Sequence, residues 1–130
     1  MSRRSLKQGH RPSKGGSPSR PRFWGRHPVL AALANPERRV RKIWATPDAA
    51  PILGKLPNDL PLLIADAADL ARLVPGDAPH QGLVAEVDPL EDIWLGDLLA
   101  QGADDTRPLI VLDQVTDPHN VGAVLRSAAA

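Results

Sequence analysis

The sequence predicts an α/β protein in two parts: a compact α/β sandwich of about 65 residues, then the first strand and helix of a second α/β unit. Two patterns carry this expectation. Between residues 23 and 90, apolar runs of strand length alternate with segments of helical periodicity, separated by Gly, Pro, Asn and Asp. After residue 107, an unbroken apolar run of the buried-strand type precedes a segment with apolar residues at i, i+3, i+4 and i+7.

The elements follow in order. Residues 1–22 hold Arg3, Arg4, Lys7, Arg11, Lys14, Arg20 and Arg22 among glycines, prolines and serines, with Leu6 as the one aliphatic side chain beyond Met1. Such a segment cannot bury enough apolar surface to offset its ordering entropy, so a disordered basic tail is expected. Order begins near Phe23-Trp24-Gly25. Over 26–33, Pro28 suits the first turn of a helix, where its missing N–H costs nothing, and Val29, Leu30 and Leu33 form an apolar stripe. Asn35-Pro36 ends that helix. Residues 40–46 read as a strand centred on Ile43 and Trp44, a short helix follows around 49–56, and 60–65 is an apolar run of strand length. Asp66 is the expected N-cap of a helix to about Leu73, and Pro75-Gly76-Asp77 is a loop. Residues 82–88 alternate Leu83, Ala85 and Val87 against Val84, Glu86 and Asp88, as a strand does. The first domain therefore spans 23–90.

Residues 91–107 form the expected linker, with an acidic helix over 91–100. Residues 108–113 are the expected first strand of the second domain, 108–130, and that strand needs sheet neighbours on both sides. A turn through Thr116 to His119 leads to Asn120, the expected N-cap of a helix from Val121 onward. Val121, Val124, Leu125 and Ala128 lie on its packing face, while Gly122 and Arg126, four apart, share another.

Composition narrows the function. There is no cysteine, so disulfides, thiolate metal sites and cysteine nucleophiles are excluded. His10, His27, His80 and His119 show no metal-ligand spacing, so no metal is expected. No apolar run approaches the roughly 20 residues that span a bilayer, and the basic N-terminus has no apolar stretch behind it. A cytoplasmic protein with no membrane partner is the expectation. The net charge of +1 hides an asymmetry: residues 1–47 carry 12 Lys/Arg against Glu37 alone, and residues 48–130 carry 4 against 14 acids. A basic front on an acidic body suits a polyanionic partner, although a solubilising tail would look the same.

The segment 112–130, LDQVTDPHNVGAVLRSAAA, carries the most chemistry. Helix N-terminal N–H groups, a glycine that lets a backbone approach closely, and a nearby guanidinium make a site for a phosphate. Its Asp113, Asp117-Pro118, Asn120, Gly122 and Arg126-Ser127-Ala128 resemble the first signature motif of the SpoU (TrmH-like) family of RNA ribose 2'-O-methyltransferases, of the SPOUT class. Upstream, Trp24-Gly25-Arg26-His27-Pro28-Val29-Leu30 with Ala32-Leu33, and His80-Gln81-Gly82-Leu83-Val84-Ala85, resemble two anchor segments of the substrate-binding domain that precedes the family's catalytic domain. Ala31 stands where the family often has glutamate, and Pro28 where alanine is common. The resemblance covers residues 23–130.

This resemblance implies an L30e-like α/β sandwich that helps hold the RNA, followed by the first strand and helix of a truncated SPOUT (knotted α/β) domain. It implies methyl transfer from S-adenosylmethionine to a ribose 2'-hydroxyl, with ribosomal RNA as the partner suggested by the two-domain layout, and a homodimer for the full-length enzyme. Arg126 is then the residue that activates the 2'-hydroxyl with help from an RNA phosphate, and Asn120 helps organise that site. A guanidinium with a pKa above about 12 is a poor base, so electrostatic positioning of the hydroxyl is an equal reading. The expected RNA contacts are Arg3, Arg4, Lys7, Arg11, Arg20, Arg22, Arg26 and Gly122. The family builds its methyl-donor pocket from two later motifs absent from these residues, so no cofactor-binding residue is assigned and an N-terminal fragment, inactive alone, is expected. The alternative is a stand-alone L30e-like RNA-binding module without catalysis, and the DNA beyond codon 130 discriminates the two. His119 reads as a loop residue, and His27 and His80 as structural. Trp24, Trp44 and Trp94 read as core or interface residues, with Trp24, beside the basic tail, the one placed to touch RNA.

Overall fold

A computed structural model describes residues 19–130; the tail expectation for residues 1–18, including Arg3, Arg4, Lys7 and Arg11, lies outside them. The described residues form two compact units, one ending at Glu91 and the other beginning at Asp92.

The first unit is an α/β sandwich around a four-stranded sheet. Strands β1 (Arg22–Trp24), β2 (Val40–Ala45), β3 (Leu62–Ile64) and β4 (Leu83–Val87) lie in the order β1-β4-β2-β3. β4 pairs antiparallel with both β1 and β2, and β2 pairs parallel with β3. The period of two in β4 separates two cores. Leu83, Ala85 and Val87 pack with Ile43, Ala45, Ala49, Leu53 and the helix α1 (Arg26–Ala34), through Val29 and Ala32. Val84 faces the other way, onto Leu70 of the helix α2 (Ala67–Ala71), Val74, and the partly buried Trp24 and Trp44. Helices therefore cover both faces of the central strand.

Several elements match their sequence signals. Asn35 caps α1, and its N–H donates to the Ala31 carbonyl. The Asp66 side chain accepts from the Asp69 N–H at 2.8 Å and starts α2. Others are corrected. The helix expected over 49–56 is a 3-10 turn, Ala50–Leu53, because Pro51 lies at its start and Gly54 (φ 63°) breaks it. The strand expected over 60–65 shrinks to β3, since the Leu60 N–H closes a turn on the Pro57 carbonyl instead of entering the ladder. Residues 20–22 do not behave as tail. Arg22 begins β1 opposite Glu86, and the Val87 N–H donates to the Pro21 carbonyl at 3.0 Å. The edge of β4 opposite β2 supplies those partners, which local composition does not reveal.

The second unit holds α3 (Leu95–Gln101) and α4 (Pro118–Ala129). α3 lies within the expected linker but starts four residues later than its acidic pattern suggests; Ile93 and Trp94, poorer helix formers, lie outside it. The strand expected over 108–113 does not form. The described residues from Asp92 onward contain no other strand, so its backbone has nothing to pair with, and Val111 is 78% exposed. α4 also starts earlier than expected. Asp117, not Asn120, is the N-cap: its Oδ1 accepts from the His119 N–H at 2.8 Å, and Pro118 occupies the first turn. Asn120 and His119 thus lie inside the helix. The apolar face is only partly covered, with Leu125 61% exposed.

Candidate nucleic-acid interface

At one end of the sheet the two anchor segments are bonded to each other through residues more than fifty apart in sequence. Gly25 adopts φ 93°, a conformation open to glycine, and its N–H donates to the carbonyls of His80 and Leu83 at 3.1 and 3.0 Å. α1 lacks a side-chain cap from its own N-cap residue, Gly25. Gln81 supplies one from across the fold, its Oε1 accepting from the Arg26 N–H at 2.9 Å. His80 Nδ1 accepts from the Gly82 N–H at 3.0 Å, so His80 is structural, as its sequence context suggests. Gly82 (φ 77°) admits no side chain: a Cβ there would stand 2.5 Å from Thr46 Oγ1 and 2.8 Å from the Ala49 Cβ. Around this junction Arg26, Thr46, Asp48, Asp66, His80 and Gln81 line an open hollow.

The opposite end, where β2 begins and β4 finishes, is basic. Asp88 is its hub. Its carboxylate accepts from Arg41 Nε at 2.9 and 2.8 Å and from Arg20 Nε at 3.2 Å, and its carbonyl accepts from Arg38 Nη1 at 3.3 Å. Arg41 is the extra residue of a bulge between Val40 and Lys42, which turns its side chain to Asp88. The hydrogen bond from Arg41 holds the Asp88 carboxyl below the usual carboxylate range; partial burial opposes this, and the charges of Arg41, Arg20 and Arg39 reinforce it. The same bond raises the Arg41 guanidinium above its ordinary value. Beside the hub, Arg22 and Lys42 lie over the ring of Trp44, at 5.5 and 5.3 Å from its centroid. Arg38 lies over Phe23 at 5.1 Å.

In the second unit, Gly122 and Arg126 do share a face of α4. A Cβ at Gly122 would stand 3.2 Å from Arg126 Nη1. Arg126 is exposed and has no hydrogen bond or ion pair among the described residues. Asn120 lies in the first turn of that helix, where its N–H donates to the Asp117 carbonyl at 3.1 Å.

The residues expected to meet RNA are therefore not all equivalent. Arg20 shares its charge between Asp88 and Glu86, the latter at 3.5 Å. Arg22 donates to the Leu73 carbonyl at 3.1 Å and leaves its charge without a carboxylate partner among the described residues. Arg26 sits at the other end of the sheet, beside Gln81. Sequence reasoning missed Gln81 as the cap of α1, Asp88 as an arginine hub, and Trp44 with Lys42. The signal for the last pair was present: Lys42 and Trp44 are two apart on one strand and so share a face. Trp24 and Trp44 both pack beside the second core, so Trp24 holds no special claim as the aromatic nearest the cations.

Comparison with known proteins adds two findings. Residues 23–93 match the family model described as RNA 2'-O ribose methyltransferase substrate binding. The chain is 40% identical over 119 residues to a 23S rRNA (guanosine-2'-O-)-methyltransferase of Pseudomonas putida, covering 84% of this chain and 46% of that protein. It is 35% identical over 123 residues to an uncharacterized tRNA/rRNA methyltransferase of Synechocystis, covering 83% of this chain and 30% of that protein. The chain thus spans about half or less of the length of these relatives.

Two outcomes follow from the site's construction. Gly82→Ala should lower the unfolding free energy by about 2 kcal/mol or more, since it combines an unfavourable φ with a clash against Thr46 and Ala49; urea denaturation measures it, and an unchanged midpoint contradicts the packing described. The Asp88 carboxyl has a folded pKa below its unfolded value of about 3.9, so its stabilisation is fully present above that value and is lost as pH falls through the folded pKa. Asp88→Asn should lower Tm at about pH 7, and the gap to wild type should narrow by about pH 2. A gap that stays constant with pH would show that the charge on Asp88 is not what stabilises.

Proposed function

The chain belongs to the family of RNA 2'-O ribose methyltransferases through their substrate-binding domain, and from that premise we propose that the whole protein methylates a ribose 2'-hydroxyl of ribosomal RNA in the cytoplasm, with S-adenosylmethionine as donor. The observation that carries this reading is the arrangement on α4. A guanidinium with no partner among the described residues lies over Gly122, where a side chain would crowd it. Such a group suits an RNA phosphate, and a phosphate bound there brings a ribose hydroxyl close to Arg126. Arg126 then positions the hydroxyl electrostatically, because its own proton does not leave near neutral pH. Asn120, in the first turn of the same helix, helps order that site, and Gly122 admits the RNA backbone.

The first unit holds the RNA. Its basic sheet end contributes Arg22, with Arg20 a lesser contributor because Asp88 and Glu86 already engage it. Arg26 contributes at the other end, and Arg3, Arg4, Lys7 and Arg11 from the tail. A homodimer is part of the same proposal for the whole protein. Among the described residues, the hollow found in the second unit does not by itself fit the methyl donor. That hollow is lined by Leu98, Leu99, Asp105, Arg107 and Leu109, is open, and its carboxylate is already paired with Arg107. One observation also favours an RNA-binding module acting without catalysis: the first unit closes a core on each face of β4.

In the whole protein, Arg126→Ala should abolish methyl transfer while stability stays within the range of an ordinary surface substitution, about 0.5 kcal/mol. Near-normal turnover of tritiated donor by the variant overturns the assigned role. Residues 1–18 hold five Lys/Arg and no acid. Deleting them should weaken RNA binding and flatten its dependence on salt, by roughly 0.7–0.9 in logarithmic slope for each phosphate they neutralise. Unchanged affinity and slope would leave the tail as a solubiliser.

A further inference from the structure

We propose that Arg22 and Lys42, positioned by the Trp44 indole on the second face of the sheet, seat backbone phosphates of the RNA. This rests on the reading above that the first unit holds RNA. It names where and by what chemistry.

The placement follows from strand register. Trp24, Val84 and Trp44 form one cross-strand row, and Arg22, Glu86 and Lys42 form the next. Both rows face the same way, because strand side chains alternate. The α2 side packs on the tryptophan row, through Leu70 and Val74. The neighbouring row is charged, and Arg22 is exposed. Both cations lie within 5.5 Å of one indole centroid, and Arg22 is further fixed by the Leu73 carbonyl at 3.1 Å. Neither has a carboxylate partner among the described residues. Glu86 stands between them in register, but its ion pair is with Arg20. Asp88 is likewise occupied by Arg41 and Arg20.

Long cationic side chains lose rotamer entropy when a ligand fixes them. Here the indole and a carbonyl restrict them beforehand, so less is lost on meeting an anion. With cations over the ring, Trp44 acts as a positioning residue and not as a platform for a base. The ligand chemistry is therefore the phosphodiester, read without regard to base sequence. Arg39, beside Arg41, adds to the positive field.

The test titrates the full 130-residue chain into a fluorescein-labelled RNA oligomer and follows anisotropy across potassium chloride concentrations. Arg22→Gln and Lys42→Gln should each lower affinity about three- to tenfold and reduce the salt slope by about 0.7–0.9, and the double variant more. Lys55→Gln and Arg72→Gln, the same charge change elsewhere on the unit, should stay within about twofold. Trp44→Phe should retain binding because it keeps an aromatic face, whereas Trp44→Leu should weaken it, by no more than the double variant does, with urea midpoints measured for both. A DNA oligomer of the same sequence should show the same losses for Arg22→Gln and Lys42→Gln, since phosphate is the group engaged. Losses confined to RNA overturn the phosphate assignment. If wild type binds but Arg22→Gln and Lys42→Gln fall no further than the two controls, the site is wrong and the RNA-holding reading survives. If Trp44→Leu binds as well as Trp44→Phe, the indole does not position the cations. A wild-type chain that does not bind RNA overturns both readings.

Discussion

Burial of β4 on both faces is the constraint that organises the first unit. Leu83, Val84, Ala85 and Val87 are fully buried, and the three larger side chains each contribute about 1.5–3 kcal/mol relative to exposure. β1 and β2 flank β4 in the sheet, so its backbone is paired along both edges as well. Each flanking strand then inherits its own sidedness from the register. Phe23, Ile43 and Ala45 turn toward α1 and the 3-10 turn, whereas Trp24 and Trp44 turn toward α2. Where the apolar alternation ends, at Glu86 and Asp88, the chain leaves the core, and the two carboxylates meet Arg20, just before β1, and Arg41 of β2.

The two ends of the sheet are built on different physics. At one end, close backbone approach decides the structure: positive φ at Gly25, Gln81 and Gly82 lets the loop before β4 press against Thr46 and cap α1. Gln81 at φ 51° is a non-glycine residue in the left-handed region, a conformation sustained by its bond to the Arg26 N–H. At the other end, charge decides. Asp88 gathers Arg20, Arg38 and Arg41, which would otherwise repel one another, while Arg22 and Lys42 rest on an aromatic face. A surface whose cations exceed its acids, with some of them held in place, is suited to a polyanion.

The second unit shows what happens to a strand sequence without a sheet. Leu109, Ile110, Val111 and Leu112 have the composition of a parallel strand, yet they remain irregular and largely exposed. α4 forms nonetheless, because the information for it is local: an aspartate cap, a proline in the first turn, and the good helix formers Ala123, Leu125, Arg126, Ala128 and Ala129. Its Gly122–Arg126 geometry is likewise a property of one helix and needs no neighbour.

The sequence by itself determined the α/β class, the alternation of β4, the aspartate that starts α2, the stop of α1 at Asn35 and the shared face of Gly122 and Arg126. All of these depend on spacing along one segment. The family resemblance also marked the segments 24–30 and 80–85, but not that Gln81 of the second caps the helix of the first. Tertiary structure alone decided that bond, the ion pairs of Arg20, the entry of Arg22 into the sheet, the Asp88 hub and the convergence of Arg22 and Lys42 on Trp44. It also decided that 108–113 is not a strand here. Each of those outcomes depends on a partner distant in sequence, or on the lack of one among the described residues. A backbone N–H, a carboxylate or an indole face stabilises a neighbour only when the chain brings it within bonding distance, and local pattern does not encode that distance.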